Sequence, residues 1–138
     1  MKDQDKVAHY DFELDKVILE IASRKAKRVL LQFPEGLLDY ATKIAETISQ
    51  ATGCEPIVSL DTCYGACDLA TYAASQLKTD LLLHYGHAAW GGKPPITTIY
   101  VEAFVSLDLS TVLPRMKKLL GDARRVGLLS TVQHIRQM

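Results

Sequence analysis

The residues best equipped for chemistry are two thiols and two imidazoles. Cys63 and Cys67 lie in Asp61-Thr62-Cys63-Tyr64-Gly65-Ala66-Cys67-Asp68, and His84 and His87 lie in His84-Tyr85-Gly86-His87. Thiolate is the form of cysteine that binds iron or zinc, and imidazole serves as metal ligand or as acid and base near its unperturbed pKa of ~6.5. The C-x3-C spacing is a weak signal by itself. It is not the C-x2-C of a zinc knuckle, and it lacks the third cysteine of the C-x3-C-x2-C pattern of ordinary radical enzymes that use S-adenosylmethionine. Two cysteines do not complete an S4 site, so if Cys67 ligates a cluster its co-ligands come from elsewhere and Cys63 is left with a plain loop role. Cys67 falls in the first turn of an expected helix, where the dipole pulls a thiol below its usual ~8.5, with Asp68 opposing part of the effect. Tyr64-Gly65 supplies a tight turn that aims the sulfur away from the sheet. Packing as a small apolar side chain is the competing account of Cys67, and the better one for Cys54 beside Gly53. Hydrogen-bonded structural roles compete equally for both histidines. Glu35 either caps a helix or holds a substrate amine.

The elements that must position these residues are legible as periodicity. Leu14, Val17, Ile18, Ile21 and Ala22 recur at helical spacing with Asp11 as expected N-cap. The apolar run 29–33, bounded by Pro34 and Gly36, reads as a buried strand. Leu37 to Ile48 traces a second helix ended near Gly53, and 56–60 a second strand. A third helix is expected over 66–77, strands over 80–84 and 96–101, and a last helix from Ser110 that tolerates Pro114 in its first turn. A further strand is expected over 125–132. Strands alternating with helices predict an α/β fold, a parallel doubly wound sheet of four to five strands with flanking helices. Residues 1–122 form the expected first domain, and 123–138 the opening strand of a second, cut short. In such sheets ligands bind beyond the carboxyl ends of the strands. There the sequence gathers Glu35-Gly36, the 61–68 segment, His84-Tyr85-Gly86-His87 and Glu102. The segment Gly91-Gly92-Lys93-Pro94-Pro95 is a turn, and no G-x-G-x-x-G or Walker-type loop is present to cradle a nucleotide.

Bulk properties exclude several classes of partner. Sixteen basic and sixteen acidic residues cancel in a chain of 138, so no net field draws nucleic acid or an anionic membrane. Arg24, Lys25, Lys27, Arg28, Lys117, Lys118, Arg124 and Arg125 sit at expected helix ends, where they complement the dipole. No apolar run approaches the roughly 20 residues of a membrane span, and Met1 to Lys6 lack the apolar stretch of a signal peptide. A cytoplasmic protein is expected, with its three cysteines as free thiols or metal ligands rather than a disulfide framework.

In the order Leu31-Gln32-Phe33-Pro34-Glu35-Gly36-Leu37, Tyr64-Gly65-Ala66-Cys67-Asp68, His84-Tyr85-Gly86-His87, Ile99-Tyr100-Val101-Glu102-Ala103 and Gly127 to His134, the chain resembles the diphthamide-synthesis family from about residue 11 onward. The resemblance implies 2-(3-amino-3-carboxypropyl)histidine synthase. That activity cleaves S-adenosylmethionine with a [4Fe–4S] cluster, by radical chemistry, and adds the 3-amino-3-carboxypropyl group to a histidine of elongation factor 2. It further implies three related α/β domains with one cluster cysteine each, a homodimer or a heterodimer with a related subunit, and an electron donor. Cys67 matches the first-domain cysteine. Glu35, Gly36, Tyr64, Gly65, His84, Tyr85, Gly86 and His87 are the expected lining of a cofactor or substrate pocket. Cys54 and Cys63 do not match the other two ligand positions, so this chain is expected to hold one ligand of three. The rival readings are a non-catalytic partner subunit or truncated homologue, and an enzyme similar to quinolinate synthase.

Overall fold

The computed structural model describes residues 10–106, 109–110 and 112–137. The N-terminal segment from Met1 to Lys6 lies outside the described residues. Four parallel strands form the main sheet: β2 (Arg28–Gln32), β3 (Glu55–Val58), β4 (Leu81–Tyr85) and β5 (Thr98–Val101). Their order is β3-β2-β4-β5. A two-stranded antiparallel ribbon joins β1 (Tyr10–Asp11) to β6 (Phe104–Val105) beside it. The helices are α1 (Leu14–Arg24), α2 (Ala41–Thr52), α3 (Thr71–Gln76) and α4 (Leu113–Leu120), with 3-10 helices at Glu35–Tyr40 and Val132–Gln137.

Successive residues of a strand face opposite sides of a sheet, and here each side finds its own cover. Val29, Leu31, Leu81, Leu83 and Tyr85 join Val17, Ile21, Ile44 and Ile48 of α1 and α2 in the larger core. Leu30 and Leu82 face the other way, onto Ala74 of α3. The sheet is therefore doubly wound, as the alternation of elements predicts. Cys54 is buried in the larger core, consistent with packing.

Five boundaries depart from expectation. Glu13, not Asp11, is the N-cap of α1, with left-handed backbone; the Asp11 carboxylate accepts the Glu13 N–H at 2.9 Å, two residues on. Glu35 opens a 3-10 turn without capping α2, which starts only at Ala41. The third helix starts at Thr71, not at Ala66. A helix begun at residue 66 would use the Asp68 carbonyl and the Ala70 N–H internally, whereas both are bonded to the Gln32 side chain, at 2.6 and 3.0 Å. Residues 125–131 form no strand among the described residues. Val126, Leu128 and Leu129 are exposed, and no described strand pairs with them. The chain instead ends on the 3-10 helix at Val132–Gln137, whose Arg136 pairs with Asp11 at 2.6 Å and lies 3.4 Å from the Phe104 ring centroid. The last helix starts at Leu113 with Val112, not Ser110, as its N-cap; Pro114 is accepted in its first turn, and basic residues do close α1 (Arg24) and α4 (Lys117 and Lys118). No helix among the described residues is long and apolar enough to cross a membrane.

Candidate metal centre

In this strand order the chain turns back between β2 and β4, because β3 lies on one side of β2 and β4 on the other. Crossovers diverge from such a point and leave a crevice at the carboxyl ends of the two strands. The register sets Gln32 against His84 at that end. Both side chains lie on the α3 face of the sheet, opposite Phe33 and Tyr85.

A buried amide in an apolar strand must be hydrogen-bonded, and the Gln32 amide is fully engaged. Its Nε2 donates to the Asp68 carbonyl at 2.6 Å, while Oε1 accepts the Ala70 N–H at 3.0 Å. This pins the amide orientation, so the third contact, between Oε1 and His84 Nδ1 at 2.9 Å, has one sense: Nδ1–H of His84 donates. Neutral His84 is then the Nδ1–H tautomer, and its Nε2 carries a lone pair directed at His87 Nδ1, 3.1 Å away. His84 is 0% exposed, and burial, with the neighbouring His87 second, pushes its pKa down to about 4. Burial also lowers that of His87, against a raising contribution from the Tyr85 carbonyl. Both imidazoles are therefore neutral at pH 7 and available as ligands.

Cys63 completes the group. Its sulfur and the ring nitrogens of His84 and His87 lie within 4.8 Å of one another. The thiol is 7% exposed and its pKa is raised, first by burial, then by the charges of Asp68 and Cys67, with the Gly65 backbone opposing. Cys63 is thus not a plain loop residue. Cys67, four residues on, has the opposite setting. It sits in a turn closed by the Asp68 N–H on the Gly65 carbonyl at 3.0 Å, with the Tyr64 N–H donating to the Asp68 carboxylate at 3.1 Å. Its sulfur lies 3.9 Å from where a Cβ on Gly65 would be. Cys67 is exposed and, contrary to expectation, lies outside the third helix.

Cys67 and His87 share a cavity of about 650 Å³ with Gly86, Trp90, Thr131 and Gln133. Of the expected pocket residues, Gly65, His84, Gly86 and His87 gather at this edge. Tyr64 is exposed, its backbone bracing the turn. Glu35 is exposed at the head of its 3-10 turn, and Gly36 lines a separate recess of about 240 Å³ that also reaches Gly86. Tyr85 does not line the pocket: its ring faces the core, stacked 4.3 Å from Phe33, because alternation along β4 turns it away from His84. Glu102 lies 4.0 Å from Lys16 of α1. Gln32 is the residue that the sequence reading passed over. A lone amide inside an apolar strand was its signal. A further cavity of about 550 Å³, between α1, α2 and Arg136, contains neither thiol nor imidazole.

The comparisons with known proteins agree with this setting. A family model described as "Putative diphthamide synthesis protein" matches residues 33–138. The chain belongs to the diphthamide synthesis protein family. It is 39% identical over 130 residues to 2-(3-amino-3-carboxypropyl)histidine synthase subunit 1 of Nematostella vectensis, covering 92% of this chain and 28% of that one. The corresponding Caenorhabditis elegans subunit 1 is 37% identical over 131 residues, covering 93% and 33%. Among solved structures, Dph2 from Pyrococcus horikoshii superposes with a TM-score of 0.77 at 31% identity, over 94% of this chain and 38% of that one. A structure of the same protein with a 4Fe–4S cluster gives 0.78. This chain therefore spans about a third of the length of the family relatives it matches.

Proposed function

We propose that this chain contributes Cys67 as one ligand of a [4Fe–4S] cluster in a 2-(3-amino-3-carboxypropyl)histidine synthase, the first step of diphthamide biosynthesis. The observation that carries the reading is Cys67 itself. Of the three cysteines it alone is exposed, and it opens onto a cavity of about 650 Å³ at the carboxyl edge of the sheet, in a chain whose relatives include a cluster-bearing Dph2. The donor set fits a shared cluster: one thiolate faces the cavity, while Cys54 is in the core and Cys63 faces the histidines. The co-ligands then come from outside these residues, in keeping with the chain's share of its relatives' length. When bound, the cluster supplies the electron that cleaves S-adenosylmethionine for transfer of its 3-amino-3-carboxypropyl group to a histidine of elongation factor 2. This chain's residues hold and frame that site. The turn from Tyr64 to Asp68 presents the Cys67 sulfur, and Gln32 ties the turn to the sheet through the Asp68 carbonyl. Residues 123–138 are read as the opening of a second domain, a reading supported by the exposed apolar side chains of Val126, Leu128 and Leu129. The assembly is a homodimer or a heterodimer with a related subunit in the cytoplasm, served by an electron donor.

Family membership leaves the quinolinate synthase comparison without support, and relatives named as synthase subunit 1 favour a catalytic over an accessory role. Anaerobic reconstitution with iron and sulfide tests the proposal, on the chain alone and in the assembled synthase. The assembly is expected to form a [4Fe–4S] cluster and to lose it in Cys67→Ser, while the chain alone holds none stoichiometrically. A full [4Fe–4S] spectrum on the isolated monomer, or unchanged cluster content in Cys67→Ser, refutes it.

A further inference from the structure

We propose that Cys63, His84 and His87 form a second, mononuclear site for a borderline-soft divalent cation of the zinc class, separate from Cys67 and with one coordination position open. The proposal does not depend on the cluster reading. Two observations carry it. The first is spacing. Two imidazole nitrogens at 2.0–2.1 Å from one tetrahedral ion lie about 3.3–3.4 Å apart, and a thiolate sulfur at 2.3 Å lies about 3.6 Å from each. His84 Nε2 and His87 Nδ1 are already 3.1 Å apart, and the sulfur is within 4.8 Å of both. An ion entering between them draws the sulfur inward by up to about 1 Å, widens the nitrogen pair slightly and turns the rings so that both lone pairs meet it.

The second observation is the outer partner of His84. Metal-binding histidines nearly always donate their other ring N–H to a fixed acceptor, which settles the tautomer and aims the lone pair. Gln32 Oε1 is that acceptor, itself oriented by the Asp68 carbonyl and the Ala70 N–H. The lone pair on Nε2 is thereby directed into the group. His87 becomes a ligand by leaving its Nδ1 unprotonated and carrying its proton on Nε2. Two nitrogens and one sulfur suit zinc, with iron(II) and cobalt(II) as poorer competitors. His87 also borders the cavity at Cys67.

Cobalt(II) and zinc titrations of the reduced, metal-free chain test this under anaerobic conditions. One equivalent of cobalt is expected to give visible ligand-field bands and a thiolate charge-transfer band. Cys63→Ser should abolish the charge-transfer band, His87→Gln should weaken binding at least tenfold, and Cys67→Ser should leave both spectrum and affinity unchanged. X-ray absorption of the zinc-loaded wild-type chain needs no variant. It should show one sulfur near 2.3 Å and two imidazole nitrogens near 2.0–2.1 Å. No metal uptake by the folded wild-type chain, a shell lacking sulfur or containing two sulfurs, or a band that survives Cys63→Ser and vanishes in Cys67→Ser would overturn the site. Loss of the cluster without loss of this spectrum, or the reverse, separates the two proposals.

Discussion

Replacing Gln32 with leucine probes fold and site at once. The side chain has nearly the right volume, so no large cavity opens, but three groups lose their partner: the Asp68 carbonyl, the Ala70 N–H and His84 Nδ1–H. An orphaned buried polar group costs about 1–3 kcal/mol. The His84 bond is fully buried and takes the upper part of that range; the other two are only partly buried, and a small movement of the 66–70 loop readmits water to them. The sum is about 3–5 kcal/mol, reduced by about 1 kcal/mol because leucine prefers the interior. A net loss of about 2–4 kcal/mol is expected, a large share of the roughly 5–15 kcal/mol of an ordinary domain. Urea denaturation measures it as a shift in midpoint at constant slope. The structural part has its own readout: nitrogen chemical shifts should place the wild-type His84 proton on Nδ1 and show a tautomer mixture in Gln32→Leu. A loss below about 0.5 kcal/mol, within the range of neutral surface changes, or an unaltered tautomer would refute the argument that Gln32 is the hub of this edge.

Three further outcomes are expected. In the metal-free chain, His84 has a folded pKa of about 4 against 6.5 unfolded. The unfolded state therefore binds more protons in that window, so stability is complete above pH 6.5 and falls as the pH drops towards 4, by about 2–3 kcal/mol after allowance for water at the open side. Urea midpoints that stay flat across the window in wild type, or that fall equally in His84→Gln, would count against it. With a thiol reagent under native conditions, Cys67 should react fast and Cys54 and Cys63 slowly, all three reacting once the chain is unfolded; rapid modification of two or more native thiols contradicts the opposed settings of Cys63 and Cys67. Gly86 has φ +80°, and a Cβ there would approach Pro34 Cγ to 2.9 Å and Leu37 Cδ1 to 3.4 Å. Gly86→Ala should cost about 2–4 kcal/mol from left-handed strain plus overlap, and a midpoint equal to wild type would disprove the close packing.

The doubly wound sheet was legible because it rests on apolar periodicity, which a single chain displays openly. Val29 to Phe33 and Leu81 to Leu83 reveal buried strands whatever surrounds them, and Leu37 to Ile48 a helical stripe. The start of the third helix was not legible. Ala66, Leu69, Ala70 and Ala73 have helical spacing, yet a partner 36 residues away in sequence, the Gln32 amide, takes the backbone groups of Asp68 and Ala70. The strand expected at 125–132 failed for a related reason. Apolar content gives a segment the capacity to pair, but pairing also needs the segment to reach an edge, and Val126, Leu128 and Leu129 pair with neither edge strand of the sheet, β3 or β5. The histidines were recognised as candidates by type and by sheet edge. Their link to Cys63 required the β2–β4 register, which local pattern does not encode.

The opposed settings of Cys63 and Cys67 follow from the same displaced helix start. In a helix, residues four apart share a face, so both sulfurs would point the same way and a single C-x3-C site would be natural. Here the intervening residues form a turn, with Gly65 and Asp68 closing it, and four residues reverse the direction of the side chain rather than repeat it. Cys63 is carried under the loop toward His84, and Cys67 is left at the rim of the cavity. Gln32 holds both outcomes in place: by taking the Asp68 carbonyl and the Ala70 N–H it keeps this stretch from becoming helix, and by accepting the His84 N–H it orients the imidazole that Cys63 meets. A helix-promoting change in the turn, Gly65→Ala, should on this argument extend α3 toward residue 66 at the expense of the Gln32 bonds. The check is hydrogen exchange at the Ala70 and Asp68 amides together with the rate of Cys67 alkylation. Unchanged protection and unchanged reactivity would mean that the turn is set by Gln32 alone, with the glycine contributing nothing to it.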